Sequence, residues 1–199
     1  MCGGEAVASV YLIRHGAHAH LGHTLSGRRP GLSLTDGGRA QAVALGERLA
    51  DAQLTAVHSS PIQRARETAD AIGAACGLPV AIAPALDEID FGDWTGRAFA
   101  ELDADPRWRE WNEQRATARA PGGETMDEAL TRASAHLATL VDDERVAVVT
   151  HCDLIRGLVC RALGLSFDHL HRFAVDAGSL TRLDTRADTP LLSLNETPS

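Results

Sequence analysis

The chain has 199 residues, of which 44% are hydrophobic and 23% charged, and its formal net charge is −8. This length suits one domain with a substantial core, and the acidic balance argues against nucleic acid or an anionic membrane surface as a partner. All nineteen cationic side chains are arginine, which excludes chemistry that needs a lysine, such as a Schiff base or a Walker-type phosphate loop.

Cysteine usage and hydropathy indicate the compartment. Cys2, Cys76, Cys152 and Cys160 are scattered and form no CxxC pair. The sequence shows neither a signal-peptide pattern nor an apolar run long enough to span a bilayer. We therefore expect a reduced, cytoplasmic protein.

Strand and helix patterns alternate along the chain. The predicted elements are a strand over Val7–Ile13, a helix opened by Thr35 or Asp36, a strand over Leu54–His58, a helix from Pro61 to about Ala75, a strand over Pro79–Ala83, a helix from about Glu124 to Val141, a strand over Arg145–Thr150, a helix from Asp153 to about Leu163 and a strand over Arg172–Asp184. This alternation favours an α/β fold, a three-layer αβα sandwich with a mostly parallel central sheet.

One segment breaks the pattern. Residues Ile89–Gly122 are rich in Trp, Asp and Arg and hold all three tryptophans, Trp94, Trp108 and Trp111. We treat residues 1–199 as a single domain with an insertion at about 89–122. Tryptophans in such a segment are expected to pack more often than to recognise a ligand.

Polar residues follow three of the predicted strands, at Arg14-His15, His58-Ser59-Ser60 and Thr150-His151. In open α/β sheets the ligand site lies beyond the carboxyl ends of the strands. The sequence therefore predicts a site that joins these three strand ends.

Four clustered histidines, His15, His18, His20 and His23, raise the question of a metal. A zinc site needs a closed ligand geometry with supporting partners. These histidines fall in one Gly/Ala-rich loop with no carboxylate nearby, so we predict no required metal.

Five ordered motifs resemble those of the histidine phosphatase superfamily, the phosphoglycerate mutase-like enzymes. Arg14-His15-Gly16 is similar to the family's Arg-His-Gly signature. The other four are "LSLTDGGRAQA" (Leu32–Ala42), "SSPIQRARETA" (Ser59–Ala69), "LDEIDFGDWTG" (Leu86–Gly96) and "VVTHCDLIR" (Val148–Arg156). The resemblance implies the phosphoglycerate mutase-like fold and an insertion that covers the active site.

The resemblance also implies roles for individual residues. His15 is the nucleophile that becomes a phosphohistidine, and His151 binds and stabilises the transferring phosphoryl group. Arg14 and Arg64 are the phosphate ligands, which suits the planar fork of arginine. Arg64 also falls near a predicted helix N-terminus, where anions are favoured.

Glu88 is the predicted general acid, which protonates the leaving alkoxide and then takes a proton from water. Asp87 and Asp90 are neighbouring carboxylates. Only Glu88 matches the family position, in the Leu-x-Glu start of its motif.

The sequence lacks the residue patterns that other phosphatase mechanisms need at the ends of its predicted strands. No cysteine has an arginine six positions further on, and the single DxD pair, Asp103 and Asp105, lies inside the insertion. The sequence therefore predicts a metal-free mechanism without a cofactor.

The opening motif departs from the family. Many members continue with Glu-Thr and reach an asparagine that binds phosphate, where this chain has Ala17, His18 and Leu21. His18, Ser26 or a backbone amide is a candidate replacement. After His151, Cys152-Asp153 replaces the commoner Gly-rich continuation.

These patterns predict a phosphomonoesterase that acts on small phosphorylated metabolites and releases inorganic phosphate. The alternatives are a phosphomutase and a catalytically silent domain that binds a phosphorylated ligand. Fast phosphate release, transfer to a second substrate, or neither would distinguish the three. A homodimer is left open.

Overall fold

A computed structural model describes residues 8–141, 143–184 and 191–198. Its centre is a six-stranded sheet in the order β3-β2-β4-β1-β5-β6. The strands are β1 (Ser9–Arg14), β2 (Ala56–Ser59), β3 (Val80–Ile82), β4 (Arg145–Thr150), β5 (Leu180–Asp184) and β6 (Leu191–Glu196). Strands β1 to β4 pair in parallel, whereas β5 runs antiparallel to β1 and β6 antiparallel to β5. The predicted α/β fold with a mostly parallel sheet is confirmed.

Helices cover both faces of this sheet. The helices of the protein are α1 (Asp36–Leu49), α2 (Gln63–Cys76), α3 (Phe99–Leu102), α4 (Pro106–Glu113), α5 (Met126–Leu137) and α6 (Cys152–Ala162), and α1, α2, α5 and α6 cover the sheet. Val10 and Leu12 of β1 join one apolar cluster with α5 and α6, whereas Tyr11 and Ile13 join another with α1 and α2. Successive strand side chains point to opposite faces, so the apolar run of β1 serves two cores and defines three layers.

Side-chain caps fix several helix boundaries. Thr35 caps α1 by accepting a hydrogen bond from the Gly38 amide at 3.1 Å. Pro61, which we expected in the first turn of α2, precedes it, because Ile62 stays extended and α2 begins at Gln63. Helix α5 begins at Met126, where Thr125 and Glu128 form a capping box, and ends before the predicted Val141.

The prediction for the C-terminal part was wrong in two respects. The predicted strand over Arg172–Asp184 is only β5, because Phe167–Arg172 form 3-10 turns and Gly178 makes a left-handed turn with φ +73. The Gly178 amide donates to the carbonyls of Arg14 and His15, which holds this turn over the end of β1. Strand β6 was not predicted, and Val7 lies outside the described residues.

The Trp-rich segment is more ordered than its sequence suggests, since it contains α3 and α4. Trp94 and Trp111 are fully buried. Trp94 meets Trp108 edge to face with ring centroids 5.3 Å apart, and its indole nitrogen donates to Asp105 at 3.2 Å. The tryptophans therefore pack as a small core within this segment. No helix in the described ranges is long and apolar enough to span a membrane.

The loop after β1 lies directly against the start of α1. A Cβ atom at Gly38 would collide with the backbone carbonyl of Ala17, and one at Gly16 would collide with the carbonyl of Gly38. A side chain at Gly37 would meet nothing closer than ordinary van der Waals contact. Of the adjacent glycines Gly37 and Gly38, only Gly38 must lack a side chain so that the loop after His15 can lie against the start of α1.

We predict that Gly38→Ala lowers the free energy of unfolding by about 1–3 kcal/mol, as expected for an overpacked contact that cannot relax. Gly37→Ala is the matched control, and it should be neutral or stabilising by up to about 1 kcal/mol because it restricts the unfolded chain. Urea unfolding of the two variants measures both values. Equal stability of the two variants would contradict the assigned contact.

Candidate active site

The predicted convergence of three strand ends is present in part. Strands β1 and β4 are parallel with Arg14 paired to Thr150, so His15 and His151 follow side by side with ring centroids 5.2 Å apart. Ser60 follows β2 and reaches His151. His58 does not join them, because its ring contacts His136 of α5 at 3.1 Å.

The hydrogen bonds of His15 determine its tautomer. Its Nδ1 lies 2.8 Å from the Gly16 carbonyl, which only accepts, so Nδ1 carries the proton. Its Nε2 accepts from Arg64 Nε at 3.0 Å, so Nε2 carries the lone pair. Burial, and then the Arg64 cation, hold the pKa of His15 well below its usual value. The ring is therefore a neutral imidazole with a lone pair on Nε2.

Arg64 is the buried centre of the site, with 1% of its surface exposed. Its Nη2 donates to the Gly27 carbonyl at 2.7 Å and to His151 Nδ1 at 3.2 Å. Burial lowers the pKa of Arg64 to about 10, an effect that the Glu88 carboxylate opposes. The guanidinium is therefore still charged at neutral pH. Its buried Nη1 has no hydrogen-bond partner.

Arg14 lies half-buried at the end of β1. Its Nη1 donates to the Val175 carbonyl at 2.6 Å, and its buried Nε has no partner. Arg14 and Arg64 thus each keep one unsatisfied N–H group, and both residues line the same cavity. Two such cations beside a neutral imidazole form a site for an anion with several acceptor oxygens.

His151 is fully buried and is not among the residues that line the cavity. Because Arg64 only donates, Nδ1 of His151 carries a lone pair and its Nε2 carries the proton. That proton is donated to Ser60 Oγ at 3.0 Å. Burial, followed by Arg64, holds the pKa of His151 well below its usual value. A direct contact between His151 and a ligand therefore requires Arg64 to give up its bond to Nδ1.

Glu88 differs from the neighbouring carboxylates Asp87 and Asp90 in its burial and in its partners. Glu88 is buried, lines the cavity with His15, and accepts a hydrogen bond from the Ile89 amide at 2.9 Å. Burial, and then the nearby Asp153 carboxylate, raise the pKa of Glu88 to about 7. Asp87 instead accepts from Ser60 at 2.7 Å, and Asp90 pairs with Arg28 at 3.6 Å.

Sequence reasoning missed the groups that hold Glu88 in place. Arg28 and Arg132 donate to its backbone carbonyl at 2.8 and 3.0 Å, and both also bind Glu124. Arg28 lies far along the chain from Glu124 and Arg132, so the three residues form no local motif. No sequence signal marked them.

The altered loop after Gly16 contributes His18, Leu21 and Ser26 to the cavity wall. His18 Nδ1 accepts from the His20 amide at 3.3 Å, which leaves the proton on Nε2. Burial, and then Arg64, lower the pKa of His18 to about 4, so at neutral pH it is an uncharged N–H donor. Of the proposed replacements for the family asparagine, His18 has a defined donor, whereas the Ser26 hydroxyl makes only a 3.5 Å contact to the Thr24 carbonyl.

The cavity has a volume of about 470 Å³ and a mixed lining. Its apolar lining residues include Leu25, Phe91, Phe99 and Trp108, and its polar lining residues include Asn112, Arg115, Asp153, Arg156 and His171. Arg115 is buried and donates to Asp153 at 2.8 Å. The sequence marks the segment that holds Arg115 only as rich in arginine and does not predict the bond to Asp153.

No three His, Cys, Asp or Glu side chains in the described ranges are arranged to hold a metal ion. His15 and His18 do lie close, with ring centroids 5.3 Å apart. The lone pairs of both are engaged by N–H donors, from Arg64 and from the His20 amide.

This fold and this arrangement of histidines, arginines and a buried carboxyl define a phosphoryl-handling α/β protein. A family model described as "Histidine phosphatase superfamily (branch 1)" matches residues 10–197, and the chain belongs to that family.

Individual relatives agree with the family assignment. The chain is 32% identical over 181 residues to Probable phosphoglycerate mutase GpmB of Erwinia tasmaniensis, covering 88% of this chain and 84% of that protein. It is 33% identical over 186 residues to Glucosyl-3-phosphoglycerate phosphatase of Mycolicibacterium vanbaalenii, covering 82% and 77%. A solved structure of mycobacterial glucosyl-3-phosphoglycerate phosphatase with VO3 is 30% identical, with a TM-score of 0.84, and the match covers 95% of this chain and 99% of that one.

The raised pKa of Glu88 makes a prediction about stability. Because the pKa in the folded protein is above the ordinary value of 4.5, the folded state binds this proton more tightly than the unfolded chain. The resulting stabilisation is complete below pH 4.5 and is lost as the pH rises towards 7.

Glu88→Gln removes this cost of burying a charge. We expect the variant to be more stable than wild type at pH 8, by up to about 3 kcal/mol, and the difference to shrink towards pH 4.5. Thermal unfolding across this range measures the effect. Glu101→Gln, which removes an exposed carboxylate, is the control and should show no such trend; the same trend in both variants would contradict the assignment to Glu88.

Proposed function

We propose that this chain is a phosphomonoesterase that hydrolyses small phosphorylated metabolites through a phosphohistidine at His15. One observation carries the proposal: a neutral imidazole lone pair lies beside two arginines with unsatisfied N–H groups, in a cavity that also holds a protonatable carboxyl. A nucleophile, an anion clamp and an acid are the three parts that phosphoryl transfer from an ester needs.

The first step forms the covalent intermediate. Arg14 and Arg64 bind the phosphoryl oxygens with the N–H groups that lack partners. When Arg64 turns to these oxygens, it frees the Nε2 lone pair of His15, which attacks phosphorus in line. The P–N bond forms, the P–O bond to the leaving group breaks, and protonated Glu88 gives its proton to the departing alkoxide.

The second step returns the enzyme to its starting state. Glu88, now ionised, takes a proton from a water molecule as this water attacks phosphorus. The P–N bond breaks, inorganic phosphate leaves, and His15 and Glu88 regain their original protonation. A pKa of about 7 for Glu88 suits both directions of proton transfer at neutral pH.

The dimensions and lining of the cavity support a small-molecule substrate. Its volume of about 470 Å³ suits a metabolite-sized ligand. Its mixture of apolar and polar lining residues suits an ester whose organic part has both apolar and polar groups. Relatives named as a glucosyl-3-phosphoglycerate phosphatase and a phosphoglycerate mutase support phosphorylated metabolites as the class.

The name of the mutase relative also favours a second candidate, a phosphomutase. In that case the phosphoenzyme resists water and passes its phosphoryl group to a second substrate. The two activities share every step up to the phosphohistidine, so only the fate of the intermediate separates them.

We further propose that the reaction needs no metal and takes place in the cytoplasm. The lone pairs of His15 and His18 are occupied by donors, which supports the first proposal. Cys76, Cys152 and Cys160 are free thiols, which supports the second. Single-domain organisation and a homodimer remain predictions.

We predict that wild-type enzyme, treated with chelator and quenched during turnover without acid, carries one phosphoryl group on His15. His15→Ala should retain its fold and lose both label and turnover, because its ring contributes little to either apolar core. Mass spectrometry and phosphate release measure this, and transfer of label to a second substrate would identify a mutase. Label on another residue, or activity that zinc or magnesium restores, would contradict the mechanism.

The role of Glu88 is tested with two leaving groups. An alkoxide must be protonated as it departs, whereas nitrophenolate is stable enough to leave unaided. Glu88→Gln should therefore slow single-turnover phosphorylation by an alkyl phosphate by about 10²–10⁴-fold and by a nitrophenyl phosphate far less.

The same variant should also show a burst of nitrophenol, because hydrolysis of the phosphoenzyme loses its base. Glu101→Gln is the matched control and should behave as wild type. Equal losses on the two esters would mean that another group is the acid.

A further inference from the structure

We infer that Asp87, acting through Ser60, is a positioning residue for His151 that allows this ring to donate a proton from Nδ1 to a bound phosphoryl group. The inference rests on the proposed function, because it concerns the same reaction. It concerns a residue outside the family motif, since Asp87 occupies the unspecified position of the Leu-x-Glu start.

Four contacts leave a single assignment of the hydrogen atoms around Ser60. Arg64 Nη2 donates to His151 Nδ1 at 3.2 Å, so the ring proton lies on Nε2. Ser60 Oγ accepts this proton at 3.0 Å and the Ile62 amide at 3.2 Å, which occupies both of its lone pairs. Its own O–H is left to donate to Asp87 Oδ1 at 2.7 Å. Asp87 is therefore an acceptor at the end of a chain that starts at His151.

In this state His151 has the wrong hydrogen pattern for a phosphate ligand. Its Nδ1 lone pair would repel phosphoryl oxygens once Arg64 turns away to bind them. To donate from Nδ1 while Nε2 keeps its bond to Ser60, the ring must carry two protons and a positive charge.

The surroundings of His151 oppose a positive charge on its ring, except on the side where Ser60 and Asp87 continue the series of hydrogen bonds. Burial lowers the pKa of this ring most, followed by the Arg64 cation, the adjacent His15, and the cations Arg132 and Arg14. Asp87 is the anion that reaches the far side of the ring through one hydroxyl group. A carboxylate linked by two short hydrogen bonds stabilises a buried imidazolium.

The proton comes from the substrate. A phosphate monoester has a second pKa of about 6, so part of it arrives as the monoanion. Its P–O–H proton moves to His151 Nδ1, which leaves a bound dianion beside an imidazolium, with no proton gained or lost by the complex. The Nδ1–H group then donates to the phosphoryl oxygen, and Asp87 balances the new charge through Ser60.

The test is NMR of the histidine ring nitrogens in the 199-residue chain, with His151 assigned by its loss in His151→Gln. Free wild-type enzyme should show the neutral Nε2–H form of His151. With saturating inorganic phosphate it should show an imidazolium whose titration midpoint falls by about one pH unit in Asp87→Asn, the lower end of the shift that an adjacent opposite charge causes.

Asp87→Glu should largely restore the midpoint, and Asp93→Asn, which removes an exposed carboxylate from the same loop, should leave it unchanged. Ser60→Ala breaks the chain without altering Asp87 and should match Asp87→Asn. A neutral Nδ1–H form in free wild type, or equal midpoints in wild type, Asp87→Asn and Ser60→Ala, would overturn the inference. These readouts need no turnover, so they decide the role of Asp87 even if the proposed phosphatase activity fails.

Discussion

The site depends on one buried cation, Arg64. A guanidinium taken out of water costs several kcal/mol unless its charge and N–H groups are compensated. Here the compensation is incomplete. Two imidazole lone pairs and the Gly27 carbonyl accept from Arg64, Glu88 and Asp87 act on it only through the field, and Nη1 has no partner. In the proposed reaction a bound phosphoryl dianion would supply the missing charge and acceptors together. The fold thus holds Arg64 with too few hydrogen-bond acceptors and too little opposite charge, so an anion that supplies both gains binding energy there.

The same cation sets opposite protonation states around it. Burial and the Arg64 charge keep His15 and His151 neutral, which preserves a lone pair for attack. Burial alone would keep Glu88 protonated well above the ordinary range, and Arg64 and Arg14 limit that rise. The neutral His15 and the protonated Glu88 that the proposed mechanism needs therefore coexist at one pH, although each group is buried within reach of the same guanidinium. Pairs of groups whose surroundings separate their protonation in this way are typical of acid–base sites.

The sequence predicted the elements that depend on local patterns and missed those that depend on distant contacts. Strands β1 and β4 and the N-cap of α1 were predictable because continuous apolar runs and cap residues are local signals. Arg14, His15, Arg64, Glu88 and His151 were selected by ordered motifs, and all except His151 line one cavity. The features that were missed rest on contacts between remote parts of the chain. They are strand β6, the hydrogen bonds from Arg28 and Arg132 to the Glu88 carbonyl, and the Arg115–Asp153 pair. Asp87 was treated only as a rival of Glu88, since no pattern shows that neighbouring carboxylates point to different partners.

The Trp-rich segment sets the character of the cavity through its own packing. Phe91 and Trp108, which contribute apolar surface to the cavity, pack edge to face against the buried rings of Trp111 and Trp94, so the core of the segment itself holds them in place. Arg115, in the same segment, binds Asp153 at the start of α6, two residues after His151. The Asp153 carboxylate in turn helps to raise the pKa of Glu88. Cavity residues of the Trp-rich segment are therefore electrostatically linked to Glu88, the acid of the proposed mechanism. A substrate that drew Arg115 away from Asp153 would expose Glu88 to a less compensated negative charge and strengthen its hold on the proton before transfer.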